Sequence, residues 1–161
     1  MAAVATDLNI ACPAVAVDTL AALQGVAVYA YEFNDATAPP NYFGPITMHD
    51  GNNFPFAATH TAEIQYIFPI SNPSPVGFQL PQLRLNPTQQ EIANTMVNYW
   101  TKFAATGNPN PGSSDQWPSF PAASATGPAA TPQWRSFGTE HKLTNTFARD
   151  HNCAFWRDLG G

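Results

Sequence analysis

Residues 87–107 (PTQQEIANTMVNYWTKFAATG) constrain the fold most, because they form the one long amphipathic pattern in the sequence. Pro87 suits the first turn of a helix, and Gly107 is a typical helix stop. Apolar residues recur between them at helical spacing: Ile92, Met96, Tyr99 and Phe103. This spacing predicts a helix with one buried stripe, so the fold must offer that stripe an apolar surface.

The elements around this helix are shorter, because the chain contains 16 prolines and 10 glycines. Residues 12–25 predict a short helix that ends at Gly25. Residues 26–33 are β-branched and aromatic, which predicts a strand covered on both faces. The other predictions are helical turns over 61–68, a hairpin of 134–138 with 141–146, a closing helix over 147–159, and irregular connections over 34–56, 69–87 and 108–133.

Composition argues against two classes of partner. Only 11% of the residues are charged, six of them basic, and the net charge is -5. Binding to nucleic acid needs clustered Lys and Arg, so no nucleic-acid partner is predicted. No apolar run approaches the ~20 residues that span a bilayer, so no membrane span is predicted. Residues 1–17 lack a basic region and contain Asp7, so no signal peptide is expected in this chain.

The residues that could carry chemistry offer a base but no nucleophile. The four histidines are His49, His60, His141 and His151. Neither H-E-x-x-H nor C-x-x-C occurs, so no metal or other cofactor is predicted. His60 heads a short amphipathic run among small residues, where an imidazole can project into a cleft and act as a general base; a solvated loop residue is the competing interpretation. The serine motif G-x-S-x-G is absent, since residues 112–116 lack its second glycine.

Two cysteines, Cys12 and Cys153, lie near opposite ends of the chain. They are either two buried thiols that behave as small apolar residues or a disulfide. A disulfide would close a very long loop and would imply an oxidising compartment.

Several stretches, in order, resemble the C-terminal portion of type-B carboxylesterases, the cholinesterase-like branch of the α/β-hydrolases. Residues 96–111 (MVNYWTKFAATGNPNP) are similar to the family's Tyr-Trp-x-x-Phe-Ala-x-x-Gly-x-Pro-Asn helix and turn. Residues 58–68 (ATHTAEIQYIF) resemble its histidine motif, in which small residues precede the histidine and an acidic residue follows three positions later. Further similar stretches are TDLNIACP (6–13), VYAYEF (28–33), WPSF (117–120) and HNCAFW (151–156).

The resemblance implies an α/β fold class, namely the C-terminal part of an α/β-hydrolase fold with an incomplete sheet. Its expected parts are a late sheet strand, a histidine loop, the long amphipathic helix, a small β-hairpin and a closing helix. It also implies one truncated carboxylesterase type B domain over 1–161. In this fold the triad follows the order serine, acid, histidine, so the serine and the acid would precede a histidine-bearing C-terminal part.

Four residues take the family's functional positions by resemblance. His60 takes the catalytic histidine, and Glu63 takes the acidic position after it, which is a supporting position and not that of the triad acid. Cys12 and Cys153 take positions that are bridged in the cholinesterase branch. Thr61 departs from the pattern, because many members have glycine there, and it could narrow the space beside the imidazole.

The predicted function is part of a serine carboxylesterase, secreted to the extracellular space or the periplasm. Its partners would be a small-molecule carboxylic ester and the missing N-terminal part of the same fold. The isolated chain is expected to be inactive, and to be poorly soluble or dimeric because missing strands would leave apolar surface exposed. The alternatives are a non-catalytic cholinesterase-like adhesion or interaction module, and an aromatic-rich carbohydrate-binding domain. The helical spacing of Tyr99, Trp100 and Phe103 disfavours the last.

Overall fold

A computed structural model of the chain describes residues 2–39, 57–68, 85–110, 112, 116–121 and 130–159. The helices are α1 (Ala2–Thr6), α2 (Cys12–Leu23), α3 (Ile64–Ile67), α4 (Pro87–Thr106), α5 (Phe147–Asp150) and α6 (Cys153–Leu159), with a π-helical segment at Asp7–Ala11. The strands are β1 (Tyr31–Phe33), β2 (Trp134–Phe137) and β3 (Lys142–Thr144). They form a sheet of order β1-β2-β3, consistent with part of an α/β fold.

The chain divides into two compact units. The first unit contains Met1–Glu32, Asp115–Arg135 and Lys142–Gly161. The second unit contains Phe33–Ser114 and Ser136–His141.

The core of the first unit is small and aromatic. The ring of Trp134 stacks on Phe147 at a centroid distance of 5.0 Å and meets the edge of Phe120 at 5.3 Å. The indole N–H of Trp117 donates to the carbonyl of Ala30 at 3.0 Å, which satisfies its one polar group inside the protein. Buried Trp117 and Phe120 therefore fix the proline-rich connection to the strand segment.

A single helical run in the first unit is longer than the sequence predicts. The expected helix over 12–25 is preceded by α1 and the π-helical segment, so Ala3–Leu23 is one run of 21 residues. By length and composition this run could cross a bilayer, which differs from the expectation that no such segment exists. One helix of this kind near an N-terminus is weak evidence for a span, and Asp7 within it is buried and paired with His151. We therefore interpret the run as part of the first unit.

Much of this helical run is apolar and exposed. Val17 and Leu20 are each 63% exposed, and Ile10 is 53% exposed. Isolated exposed apolar residues are ordinary, but several on one helix mark a surface that another structure covers. The poor solubility or dimerisation expected of the isolated chain stays a prediction.

The core of the second unit is built on α4. Asn86 and Gln89 form a reciprocal capping box at its start, with N–H···O distances of 2.9 Å in both directions. At its end, Gly107 adopts a left-handed conformation with φ of 72°. The predicted stripe is buried at Ile92, Met96 and Tyr99, but Phe103 is 44% exposed.

The closing helix is not continuous, which corrects the prediction of one helix over 147–159. It is split into α5 and α6 because Asn152 adopts φ of 52°. A left-handed residue breaks helical hydrogen bonding, and asparagine is among the few side chains that tolerate it. Phe147 is buried, whereas Phe155 and Leu159 are exposed.

Candidate functional site

His60 lies in the turn that leads into α3, in the second unit. The turn is closed by the N–H of Ala62, which donates to the carbonyl of Thr59 at 2.9 Å. The imidazole is exposed. Among the residues that the structure describes, no side chain or backbone group hydrogen-bonds to it.

The residue after the histidine has an unusual backbone conformation. Thr61 has φ of 75°, in the left-handed region that β-branched residues rarely occupy. Glycine adopts this conformation without a steric cost, which explains physically why glycine suits this position. A non-glycine residue held there costs on the order of 1–3 kcal/mol and persists only where the surroundings enforce it.

This strain leads to a test by substitution. Thr61→Gly is expected to be about 1 kcal/mol more stable than Thr61→Ala. Both variants lack the threonine hydroxyl and methyl groups, but only alanine keeps a Cβ in the left-handed region. Urea unfolding of the two variants measures the difference. Equal free energies of unfolding would show that this turn is not strained.

The helix after His60 is held by the loop that follows β1. The hydroxyl of Tyr66 donates to Oδ2 of Asp35 at 2.6 Å. The ring of Tyr66 also meets the ring of Phe33 at a centroid distance of 4.8 Å. One residue earlier, Nε2 of Gln65 donates to the carbonyl of Pro39 at 2.7 Å. Two hydrogen bonds thus join α3 to the loop after β1, and one ring contact joins it to the end of β1.

Asp35 is the centre of this arrangement. Its Oδ1 accepts from the backbone N–H of Thr37 at 2.8 Å and from the Thr37 hydroxyl at 2.7 Å. Burial raises the pKa of the Asp35 carboxyl, but the hydrogen bonds from Tyr66 and Thr37 outweigh it and leave the pKa below its usual value. The carboxyl is therefore ionised at neutral pH. The same burial and the neighbouring carboxylate raise the pKa of Tyr66, so its hydroxyl keeps its proton.

The arrangement extends to the long helix. Nε2 of Gln89 donates to the carbonyl of Thr37 at 2.8 Å, while Oε1 of the same side chain accepts from the N–H of Asn86. Gln89, which belongs to the capping box of α4, thus also fixes the loop that contacts α3.

Glu63 is the residue that precedes α3. Its carbonyl accepts from the N–H groups of Tyr66 and Ile67. Within the described ranges its carboxylate hydrogen-bonds to no residue, and it is not brought into hydrogen-bond contact with His60. Its supporting role stays a prediction.

The remaining histidines lie elsewhere. His141 is exposed, and His49 with Asp50 lies outside the described residues. In the first unit, Nδ1 of His151 is 2.7 Å from Oδ1 of Asp7, and Nε2 is 3.3 Å from Oε1 of Glu32. The hydrogen bond with His151 lowers the pKa of Asp7 against the opposing effect of burial. This histidine therefore has a structural contact that its sequence position did not indicate.

Cys12 and Cys153 are joined by a disulfide whose Cα atoms are 5.2 Å apart. The bridge connects the start of α2 to the start of α6, within the first unit. It lies next to the Asp7–His151 pair in sequence, so covalent and polar contacts join the same two segments. As for metal ions, the described part of the chain contains no group of three or more His, Cys, Asp or Glu side chains that could hold one.

Asp35 and Tyr66 are the site residues that sequence reasoning missed. They lie 31 positions apart; Tyr66 falls in the stretch that resembles the histidine motif, but that motif gives the tyrosine no role, and Asp35 lies outside every quoted stretch. The available signal was the Asn-Asp-Ala-Thr stretch after β1, because an aspartate commonly accepts from the backbone N–H two residues later. That pattern predicts a turn but gives no indication of the tyrosine.

Comparison with known proteins places these observations in a family context. Residues 1–156 match the carboxylesterase family. Human bile salt-activated lipase is 33% identical over 86 residues, which are 53% of this chain and 9% of that protein. Acetylcholinesterase of Bungarus fasciatus is 30% identical over 105 residues, which are 64% of this chain and 14% of that protein. The matched part is thus a small fraction of either relative.

Proposed function

The chain belongs to the carboxylesterase family, and from that premise we propose that it is the C-terminal portion of a carboxylic-ester hydrolase that contributes the general base of a Ser-Asp/Glu-His triad. His60 is that base. The observation that carries the proposal is an exposed imidazole on a turn whose following helix is fixed by three contacts. The names of the two relatives, a lipase and an esterase, support an ester as the substrate class.

The chemistry follows from the imidazole. A neutral ring nitrogen of His60 accepts the proton of a serine hydroxyl as the serine oxygen attacks the ester carbonyl. The resulting imidazolium then donates that proton to the leaving alkoxide. Because the chain contains no G-x-S-x-G motif, the serine, the acid and the oxyanion-hole amides come from polypeptide that precedes this portion in the triad order.

The disulfide supports an extracellular or periplasmic location. Bridges of this kind persist in oxidising compartments and are rare where thiols are kept reduced. The Cys12–Cys153 bond joins segments 141 residues apart, and this chain would lose that connection in a reducing cytosol.

The proposal is tested with the 161-residue chain beside the longer protein that carries it. We expect the longer protein to hydrolyse a p-nitrophenyl ester and to react with a serine-directed fluorophosphonate probe. The isolated chain should do neither, because a base without its nucleophile and oxyanion hole gives no covalent catalysis.

Two outcomes would contradict this function. A longer protein with another residue in place of the elbow serine, unreactive to the probe, would favour the interaction module instead. Ester turnover by the isolated chain that disappears in His60→Ala would show that the nucleophile lies within these residues.

A further inference from the structure

We propose that Asp35 is a positioning residue for His60, which it holds through Tyr66. This inference rests on the proposed function of His60. Asp35 touches neither the histidine nor any reacting group, so its effect on the reaction is transmitted by the orientation of α3.

The helix α3 is too short to be stable by itself. Four residues make one helical turn, and an isolated turn is unstable because its nucleation is unfavourable. The direction of this turn, and of the residues just before it, must therefore be set by outside contacts. Besides packing against α4, α3 has three specific side-chain contacts: the Tyr66–Asp35 hydrogen bond, the Tyr66–Phe33 ring contact and the Gln65–Pro39 hydrogen bond.

The Tyr66–Asp35 hydrogen bond is buried and directional. Asp35 and Tyr66 are each only 2% exposed. A phenol that donates to a buried carboxylate makes a short, strongly directional bond, whereas a ring contact alone permits sliding and rotation. Of these three side-chain contacts, the Asp35 bond is the one that is both directional and buried at both ends.

Burying the Asp35 carboxylate costs free energy. Among the described residues, the groups that hydrogen-bond to Asp35 are neutral and belong to Tyr66, Thr37 and Gln89. Keeping a carboxylate in the interior on neutral donors costs free energy, and an apolar pair would serve packing as well or better. A buried carboxylate is therefore better explained by the orientation it imposes than by stability alone.

The orientation of α3 is linked to the imidazole of His60 through the backbone between them. The backbone from His60 to Tyr66 is continuous through hydrogen-bonded turns, from Ile64 N–H to Thr61 and from Tyr66 N–H to Glu63. A shift of Tyr66 is thus carried to the histidine turn. Misplacement of a catalytic group by 1 Å costs on the order of 10²-fold in rate, so a modest loosening has a measurable effect.

The test uses Tyr66→Phe in the longer protein that carries this chain, because this variant removes one hydroxyl and keeps the ring contact with Phe33. We expect kcat for a p-nitrophenyl ester to fall about 10-fold, with KM changed less than about twofold. Backbone amides of α3 should exchange with solvent about 10- to 100-fold faster, while those of α4 stay within about twofold. Glu91→Gln, an exposed carboxylate substitution on α4, is the matched control and should change none of these values.

A second variant keeps the test decisive. Asp35→Ala should reproduce the effects of Tyr66→Phe, and adding Tyr66→Phe to Asp35→Ala should cause no further loss, because the shared bond is already gone. If Asp35→Ala fails to fold, the Tyr66→Phe result decides alone.

Each remaining outcome is informative. An unchanged kcat in Tyr66→Phe, or faster exchange spread equally over α3 and α4, would overturn the positioning role. If the wild-type protein neither turns over ester nor reacts with the fluorophosphonate, the proposed function fails instead. In that case the local exchange pattern still shows whether Asp35 holds α3.

Discussion

His60→Gln is expected to lower kcat for a p-nitrophenyl ester about 10⁴- to 10⁶-fold in the longer esterase proposed above. Glutamine has a similar reach but accepts no proton at neutral pH, so the serine hydroxyl is left without a base. KM should change little, because the imidazole does not bind the acyl or alcohol group of the substrate. Steady-state kinetics with one chromogenic ester measures both parameters.

The chain offers a close control for this substitution. His141 is also exposed and also lies in the second unit, so His141→Gln makes the same chemical change at a residue outside the histidine turn and α3. It should leave kcat within about twofold of wild type, in line with ordinary surface substitutions. If His60→Gln keeps more than about a tenth of the wild-type kcat, His60 is not the base.

The long helix illustrates what local patterns can predict. Its bounds and most of its buried stripe follow from Pro87, Gly107 and the spacing of Ile92 and Met96, all of which act within a few turns of one helix. Phe103, the last member of the stripe, is exposed. Periodicity did not predict this, because it indicates which residues share a helix face but not how far the surface that covers that face extends. The same limit applies to Phe155 and Leu159 in α6.

Long-range contacts account for what the residues alone could not predict. The Asp35–Tyr66 bond joins positions 31 apart, and the His151–Asp7 pair joins positions 144 apart. No local spacing encodes such pairs, and family resemblance indicated neither of them; the long-range contact that it did indicate is the Cys12–Cys153 bridge. The break at Asn152 is local, but it was not predicted either, because an asparagine within a helical pattern is compatible with a helix or with a left-handed turn.

The left-handed Thr61 lies between these two cases. The resemblance identified the position as one where glycine is common. The sequence alone does not say whether threonine there stabilises or destabilises the turn. The backbone angle supplies the reason: this turn has a geometry that glycine adopts readily and threonine adopts under constraint. The sequence thus showed an unusual residue at position 61, and the structure showed that this residue has a strained backbone conformation.

Removal of the disulfide is expected to cause the largest loss of stability. Replacing Cys12 and Cys153 together by alanine should lower the free energy of unfolding by about 4–5 kcal/mol. The chain-entropy model gives a value this large because the bridged residues lie 141 positions apart, so the unbridged unfolded chain gains much conformational freedom. Small domains are stable by only about 5–15 kcal/mol, so the variant should be close to its unfolding threshold at 37 °C. Urea unfolding of the 161-residue chain measures the change.

Reduction of the native chain provides the matched measurement. Wild-type chain treated with a phosphine reductant should unfold at the same urea concentration as the double alanine variant, and the variant itself should not respond to the reductant. Asp7 and His151 still join the same two segments after reduction, but a single side-chain hydrogen bond contributes far less than a covalent link. It should therefore not compensate for the lost bridge. Equal stability of the oxidised and reduced chains, or alkylation of both thiols in the untreated native protein, would show that the bridge does not hold α2 to α6.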